Sequence, residues 1–345
     1  MKYYPVFIPT LNRFYHFKNC VESLSQCMYA DKTELVIGLD YPPSEKYIEG
    51  YKQIKDYIPS IKGFAKVTLI EHTHNLGPGG NWASLVEYCE SHYSAYIGSE
   101  DDNVFAPAFL DYMNRMLELY YNDDKILTIS GYNFVDAYNQ GEYTYYLSKD
   151  NCAWGTGYWV HKEKEISQYM NDGLFYRNAL YYRKKAKKIL YTYPALYGML
   201  NSMIINNRSW GDVKRTVYNI LCDKYQVKPA MSLVRNCGYD GSGIHCGTDD
   251  YGLSSQEISD LKAFDIGIGL GPADTYINRK ALYNHALPPM ERERKKTLEN
   301  IYYSYRQNIC PRILIYLMHG YYFLRAKLAL RTRIKNLLSK VSYRH

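Results

Sequence analysis

The segment Tyr96-Ile97-Gly98-Ser99-Glu100-Asp101-Asp102-Asn103-Val104 carries a short apolar run directly into three consecutive acids. A run of that length and composition reads as a buried strand. Three adjacent carboxylates repel one another and lose their hydration when enclosed, so the fold must open onto water, a metal or a cationic partner at this strand's C-terminal end. Carboxylates placed there can hold a divalent ion and, through it, the phosphates of a nucleotide. A solvated acidic loop is the alternative reading of the same residues.

The surrounding sequence alternates strand and helix patterns. Strands are predicted over Tyr3 to Ile8, Glu34 to Asp40, Val67 to Glu71 and Ile126 to Ser130. Helices are predicted over Asn12 to Tyr29, Trp82 to about Ser91, and from Pro107, which suits a first helical turn, to about Tyr120. Such alternation predicts an α/β chain with a mostly parallel sheet, whose ligands gather beyond the strand C-termini. Arg13, Asp40 and Glu100 to Asp102 all follow predicted strand ends and are candidates to converge in one crevice. No Walker or dinucleotide glycine loop precedes a helix, and Gly77-Pro78-Gly79-Gly80 reads as a turn that shapes the site or touches ligand.

The 345 residues accommodate one large domain with additions. The expected division is a catalytic domain over residues 1–255 and a C-terminal helical extension over 256–345. The net charge of +7 is uneven: residues 311–345 hold eight Lys/Arg and no acid, so everything before them sums to −1. Nucleic-acid binding by the main domain is therefore not expected. Eight cysteines without a CxxC pair, and an amino terminus lacking the basic-then-apolar signal pattern, favour a reducing compartment. The 40 tyrosines supply apolar area with hydrogen-bonding tips, suited to sugar or membrane-interface contact as well as to packing.

Several segments together resemble the GT-A-fold, nucleotide-sugar-dependent glycosyltransferases, and within them the N-acetylglucosaminyltransferase I type, over roughly residues 3 to 250. Ile8-Pro9-Thr10-Leu11-Asn12-Arg13 resembles that family's first strand and its Arg-bearing turn, and Asp40 the acid at the second strand end. Glu100-Asp101-Asp102 with Val104 and Ala106-Pro107 is similar to the metal motif and the helix start beside it. Ser130-Gly131-Tyr132-Asn133 stands where another family segment is expected. Trp154-Gly155-Thr156-Gly157-Tyr158-Trp159 resembles the glycine-rich acceptor-side loop. Ser209-Trp210-Gly211-Asp212 resembles the segment carrying the base, although the family has a further acid where Gly211 stands. The glycine-rich stretch from Gly238 to His245 resembles the late loop ending in His.

The resemblance implies a three-layer, Rossmann-like nucleotide-binding fold and an enzyme of EC class 2.4 that transfers sugar, with inversion, from a nucleotide sugar. A UDP-sugar is expected because it is usual for that family. Asp102 is the expected ligand of Mn²⁺ or Mg²⁺, with Asp101 and Glu100 reaching ribose, donor sugar or coordinated water. Arg13 would meet phosphate or stand in a salt bridge. Asp40 would contact the nucleoside or hold a turn; Asn81 would border the donor or anchor its helix; His245 would approach pyrophosphate or metal. Trp154, Gly155, Gly157, Trp159 and Trp210 would shape the sugar or acceptor pocket or serve packing. Asp212 is the candidate general base, or a cap of its helix. His72 and His74 lack a third ligand for zinc.

Arg325, Lys327, Arg331, Arg333 and Lys335 are interspersed with Leu and Ile, as in a basic helix lying on an anionic surface or on a partner protein. The preceding apolar stretch is too short and mixed to span a bilayer. A lipid-linked saccharide acceptor, a bacterial surface polysaccharide, lipopolysaccharide or capsule as product, and a cytoplasmic enzyme attached peripherally to the inner membrane face are the corresponding expectations. A retaining transferase and a non-catalytic glycan-binding scaffold are the alternatives.

Overall fold

The computed structural model describes residues 1–133, 143–243, 254–270 and the single positions 248, 317, 320 and 324. His245 and all but three positions of the 311–345 tail lie outside the described residues. Among the described residues, no helix is long and apolar enough to cross a membrane.

The chain begins with β1 (Val6–Thr10), α1 (Phe14–Ser25), β2 (Glu34–Leu39), α2 (Ile48–Tyr57), β3 (Lys66–Glu71), α3 (Gly77–His92) and β4 (Ala95–Gly98). There follow β5 (Asn103–Phe105), α4 (Phe109–Leu119), β6 (Ile126–Ser130), β7 (Tyr143–Ser148), β8 (Thr156–Trp159) and α5 (Val160–Asn171). Four helices come next: α6 (Gly173–Tyr181), α7 (Arg183–Thr192), α8 (Pro194–Ile205) and α9 (Gly211–Cys222). The described chain closes with β9 (Tyr225–Pro229), β10 (Val234–Asn236) and β11 (Ile268–Leu270).

Nine strands form one sheet in the order β11-β7-β9-β6-β8-β4-β1-β2-β3, while β5 and β10 form a separate antiparallel pair. Five of the eight pairings in the large sheet are parallel, so the mostly parallel α/β class expected from the alternating pattern is the one observed. Alternate residues of one strand enter different cores, which makes three layers. Val6 and Ile8 of β1 join α1, α2 and α4 in one cluster, while Phe7 points to the other face, against Leu85 and Cys89 of α3. The outward-running order β1, β2, β3 reverses at β4, which returns to the other side of β1. In open α/β sheets such a switch point, here beyond the C-terminal ends of β1 and β4, is where ligands gather.

The described chain divides into two compact units. The first contains the sheet, from Met1–Ile166 and the described part of Tyr225–Ala273. Residues 256–267 run across this unit: Ser259 N donates to Ser232 O, and Phe264 N to Asp111 Oδ2 at 2.8 Å, before β11 adds an edge strand beside β7. The second unit takes in Ser167–Lys224 and the three described positions after Asp274; its Ser167–Lys224 part is helical and has its own core of Tyr176, Leu180, Ile189, Leu196, Tyr197 and Val217 among others.

A candidate donor site at the sheet's switch point

Thr10 ends β1 and Arg13 follows it, while Asp101 and Asp102 follow β4. The topology thus delivers all four to this switch point. Arg13 Nη2 pairs with Asp101 Oδ1 and, at 2.9 Å, with Asp102 Oδ2. Thr10 Oγ1 donates to Asp101 Oδ2 at 2.9 Å. Both acids are nearly enclosed, 6% and 3% exposed, so the guanidinium is the counter-charge that makes their burial tolerable.

Burial pushes the Asp101 carboxyl above its ordinary range and adjacent Asp102 pushes it further, against the downward pull of Arg13 and Thr10. For Arg13, burial works against the charge, but the two carboxylates more than offset it and hold the guanidinium firmly protonated. Its second nitrogen, Nη1, is buried and has no hydrogen-bond partner among the described residues. An enclosed, unpaired donor costs about 1–3 kcal/mol, so this nitrogen favours gaining an acceptor.

A second strand system completes the site. Because β10 pairs antiparallel with β5, Asn236 stands opposite Asn103 and reaches Asp102. Asn236 Nδ2 donates to Asp102 Oδ1 at 2.9 Å, and its own Oδ1 accepts from Gly238 N at 2.9 Å. These two bonds fix the orientation of the amide. Cys237 N donates to Asp102 O at 2.8 Å. Gly238 is required by contact: a Cβ there would lie 2.0 Å from Asp102 Oδ2 and 2.7 Å from its Cγ. His16 Nε2 meets Asp240 Oδ2 at 2.8 Å, tying this late loop to α1. Burial alone would raise the Asp240 carboxyl, but the Ser242 and His16 bonds hold it well below the usual carboxylate range.

Asp40 lies at the end of β2, and its carboxylate fastens the start of α3. Oδ1 accepts from Tyr41 N and Leu76 N, both at 2.9 Å, and Oδ2 from Asn75 Nδ2 at 3.1 Å. Asn81 is buried inside the first turns of α3, donating to Gly38 O at 2.8 Å and standing 3.2 Å from His72 Nε2. Glu100 is half-buried beside the acid pair.

The remaining predicted positions are more dispersed. Trp154 is half-buried, edge-on to Tyr132 at 4.7 Å and near Tyr239 of the late loop at 6.4 Å. Trp159 is fully enclosed in β8 and donates from its indole to Leu117 O at 2.9 Å. A Cβ on Gly155 would fall 2.8–3.0 Å from Val234 and Phe109, and one on Gly157 2.9–3.2 Å from Met113 and Leu117, so these glycines let β8 and its approach pack closely on α4. Trp210 precedes α9 and packs on the helical unit's core, and Asp212 is exposed in the first turn of α9. Both belong to the helical unit, whereas the carboxylate site belongs to the sheet unit. Among the described residues no set of three or more His, Cys, Asp or Glu side chains is gathered as a metal centre. Thr10 and Asn236 were not candidates from sequence: Asn236 lies 134 residues from Asp102, and only the β5–β10 pairing brings them together.

No family model matches the chain, and no curated protein does. Among solved structures it is similar to Staphylococcus aureus TarS 1–349 in complex with UDP-GlcNAc. That likeness has 13% identity and a TM-score of 0.35, and covers 48% of each chain, so this chain spans about half the length of that match. A second structure of TarS 1–349 aligns over 96% of this chain and 92% of its own at 11% identity and a TM-score of 0.37. The mannosyltransferase PcManGT from Pyrobaculum calidifontis, in complex with GDP-Man and Mn²⁺, aligns over 64% of this chain and 74% of its own, at 12% identity and a TM-score of 0.34. Likeness at this level says nothing of activity.

Proposed function

We propose that the chain is a glycosyltransferase that takes a sugar from a nucleotide diphosphate donor, a UDP-sugar in first place, and transfers it to a saccharide acceptor, with inversion. The observation that carries this reading is the Arg13–Asp101–Asp102 cluster at the switch point, with Arg13 Nη1 buried and without a hydrogen-bond partner among the described residues. A diphosphate offers the acceptor oxygens that this nitrogen lacks, and a guanidinium is well shaped to receive them.

The donor set also fits a divalent ion that arrives with its nucleotide. Asp102 Oδ1 accepts from Asn236 and Oδ2 is ion-paired with Arg13, leaving lone pairs for a cation, and Mn²⁺ or Mg²⁺ is commonly held by one or two carboxylates together with substrate phosphates. Bound there, such an ion would neutralise charge developing on the departing diphosphate. Asn236 and Gly238 keep the Asp102 carboxylate in one orientation and leave room for the loop backbone against it. Asp40 and Asn81 act on the donor site by fixing the turn into α3. Asp212 is proposed as the base that deprotonates the acceptor hydroxyl, on the resemblance of its segment, and Trp154 with Tyr239 as an aromatic border for sugar.

The test is transfer of labelled sugar from a panel of nucleotide sugars to a mixed saccharide pool, with Mn²⁺ present. Asp102→Asn should lower turnover at least a hundredfold; Asp212→Asn should lower it by about 10²–10⁴ while donor affinity stays within a factor of about three. Wild-type turnover in Asp102→Asn would remove the cluster from the reaction. Full activity in Asp212→Asn would reject the base assignment alone.

A further inference from the structure

Dividing the chain by its compact units exposes a charge distribution that the summed value for residues 1–310 conceals. The Ser167–Lys224 segment of the helical unit contains ten Lys/Arg and three Asp/Glu, a net +7, and no acid occurs between Asp172 and Asp212. The cations concentrate on α7. Arg183, Lys184, Lys187 and Lys188 fall within an arc of about 140° at helical spacing, while Ala186, Ile189 and Leu190 face the other way into the unit's core. Arg183, Lys184 and Lys188 are exposed and Lys187 is half-buried. On the outer face of α6, Leu174 is 66% exposed, followed by exposed Arg177, and Tyr182 at the α6–α7 junction is 61% exposed.

We infer that α6 and α7 form a docking surface for an anionic phospholipid bilayer. Clustered Lys/Arg on a helix face attract acidic headgroups, and exposed Leu and Tyr are side chains that settle into the interfacial region. Charge complementarity alone would also suit an anionic polymer, but the exposed Tyr182 immediately before the basic helix and the exposed Leu174 on the preceding one favour a bilayer, where their burial adds to the attraction. This surface uses none of the residues assigned to the carboxylate site, so it is testable apart from the transferase reading.

The experiment is co-sedimentation of the full chain with phosphatidylcholine vesicles containing or lacking 30% phosphatidylglycerol, at low and high salt. Three variants accompany the wild type: R183Q/K184Q/K187Q/K188Q, L174S/Y182S, and the tail variant R325Q/K327Q/R331Q/R333Q/K335Q. Circular dichroism confirms that each is folded. The expected result is salt-sensitive binding to the acidic vesicles only, reduced at least tenfold by the α7 variant, severalfold by L174S/Y182S, and less by the tail variant than by the α7 variant. Wild-type affinity in the folded α7 variant would overturn the inference, as would absence of binding to acidic vesicles. Equally fatal would be α7-dependent binding to duplex nucleic acid by a protein that ignores vesicles.

Discussion

Replacing Arg13 with Met removes the only cation that the described contacts place between Asp101 and Asp102, while keeping most of the side chain's apolar volume. Removing one partner of a buried ion pair costs about 3–5 kcal/mol, because the remaining charge loses both its partner and its water. Arg13's side chain is 17% exposed, and Thr10 and Asn236 still donate to the two acids, so the low end, about 3 kcal/mol, is expected. For a unit of this size that corresponds to about 6–12 °C in Tm. The pH dependence gives a second readout. Asp101 already lies above its ordinary range, and losing the guanidinium raises it further. A carboxyl whose folded pKa exceeds its unfolded value favours the fold at low pH and weakens it as pH rises through the folded pKa, so the variant's deficit should shrink between pH 7 and about pH 4.5. Thermal melts followed by tryptophan fluorescence at both pH values measure this, with Arg13→Lys expected between wild type and Arg13→Met. A variant melting within 1 °C of wild type at pH 7, or a deficit that widens on acidification, would refute the reasoning.

Two further perturbations separate the site from the scaffold. Gly238→Ala forces a methyl against Asp102 Oδ2 and should weaken nucleotide-sugar binding at least tenfold while Tm falls by only a few degrees; unchanged donor affinity in calorimetry would contradict the close approach. Glu34, at the opposite end of β2, accepts from Lys66 at 2.9 Å, Thr68 at 2.5 Å, Tyr88 at 2.9 Å and Tyr93. Burial would raise it, but these four donors hold it at about 2. Its stabilisation is present above about pH 4.5 and is lost as pH falls toward 2. Glu34→Gln should therefore melt below wild type at pH 7 and close to it near pH 2.5, with donor binding unaffected.

The first half of the fold was legible because its strands are continuous apolar runs. Ile126–Ser130 is a strand over the very residues predicted, and Glu34–Leu39 differs by one. Other boundaries moved where a tertiary contact overrides local propensity. Gly77-Pro78-Gly79-Gly80 read as a turn but forms the first turn of α3, because Asp40 accepts from Leu76 N and Gly77 takes φ +70° at the entry. The stretch from Trp154 to Trp159 read as a loop on account of its glycines. Its last four residues are β8, lying antiparallel between β4 and β6, and there the missing side chain of Gly157 admits Met113 and Leu117. The acid cluster and Arg13 were visible as residues following strand ends. Their mutual pairing was not, since it depends on β1 and β4 becoming neighbours. Asn236 carried no local signal; its role comes from β10 pairing with β5.

The central claim is that the Asp102 carboxylate and its neighbours receive a nucleotide sugar together with a divalent ion. The most direct measurement is calorimetric titration of UDP- and GDP-sugars into the full-length protein, with and without Mn²⁺, beside Asp102→Asn. At least one nucleotide sugar is expected to bind, more tightly with Mn²⁺ and at least tenfold more weakly in the folded variant. Failure of every nucleotide sugar to bind, or equal metal-dependent affinity in Asp102→Asn, would contradict the claim.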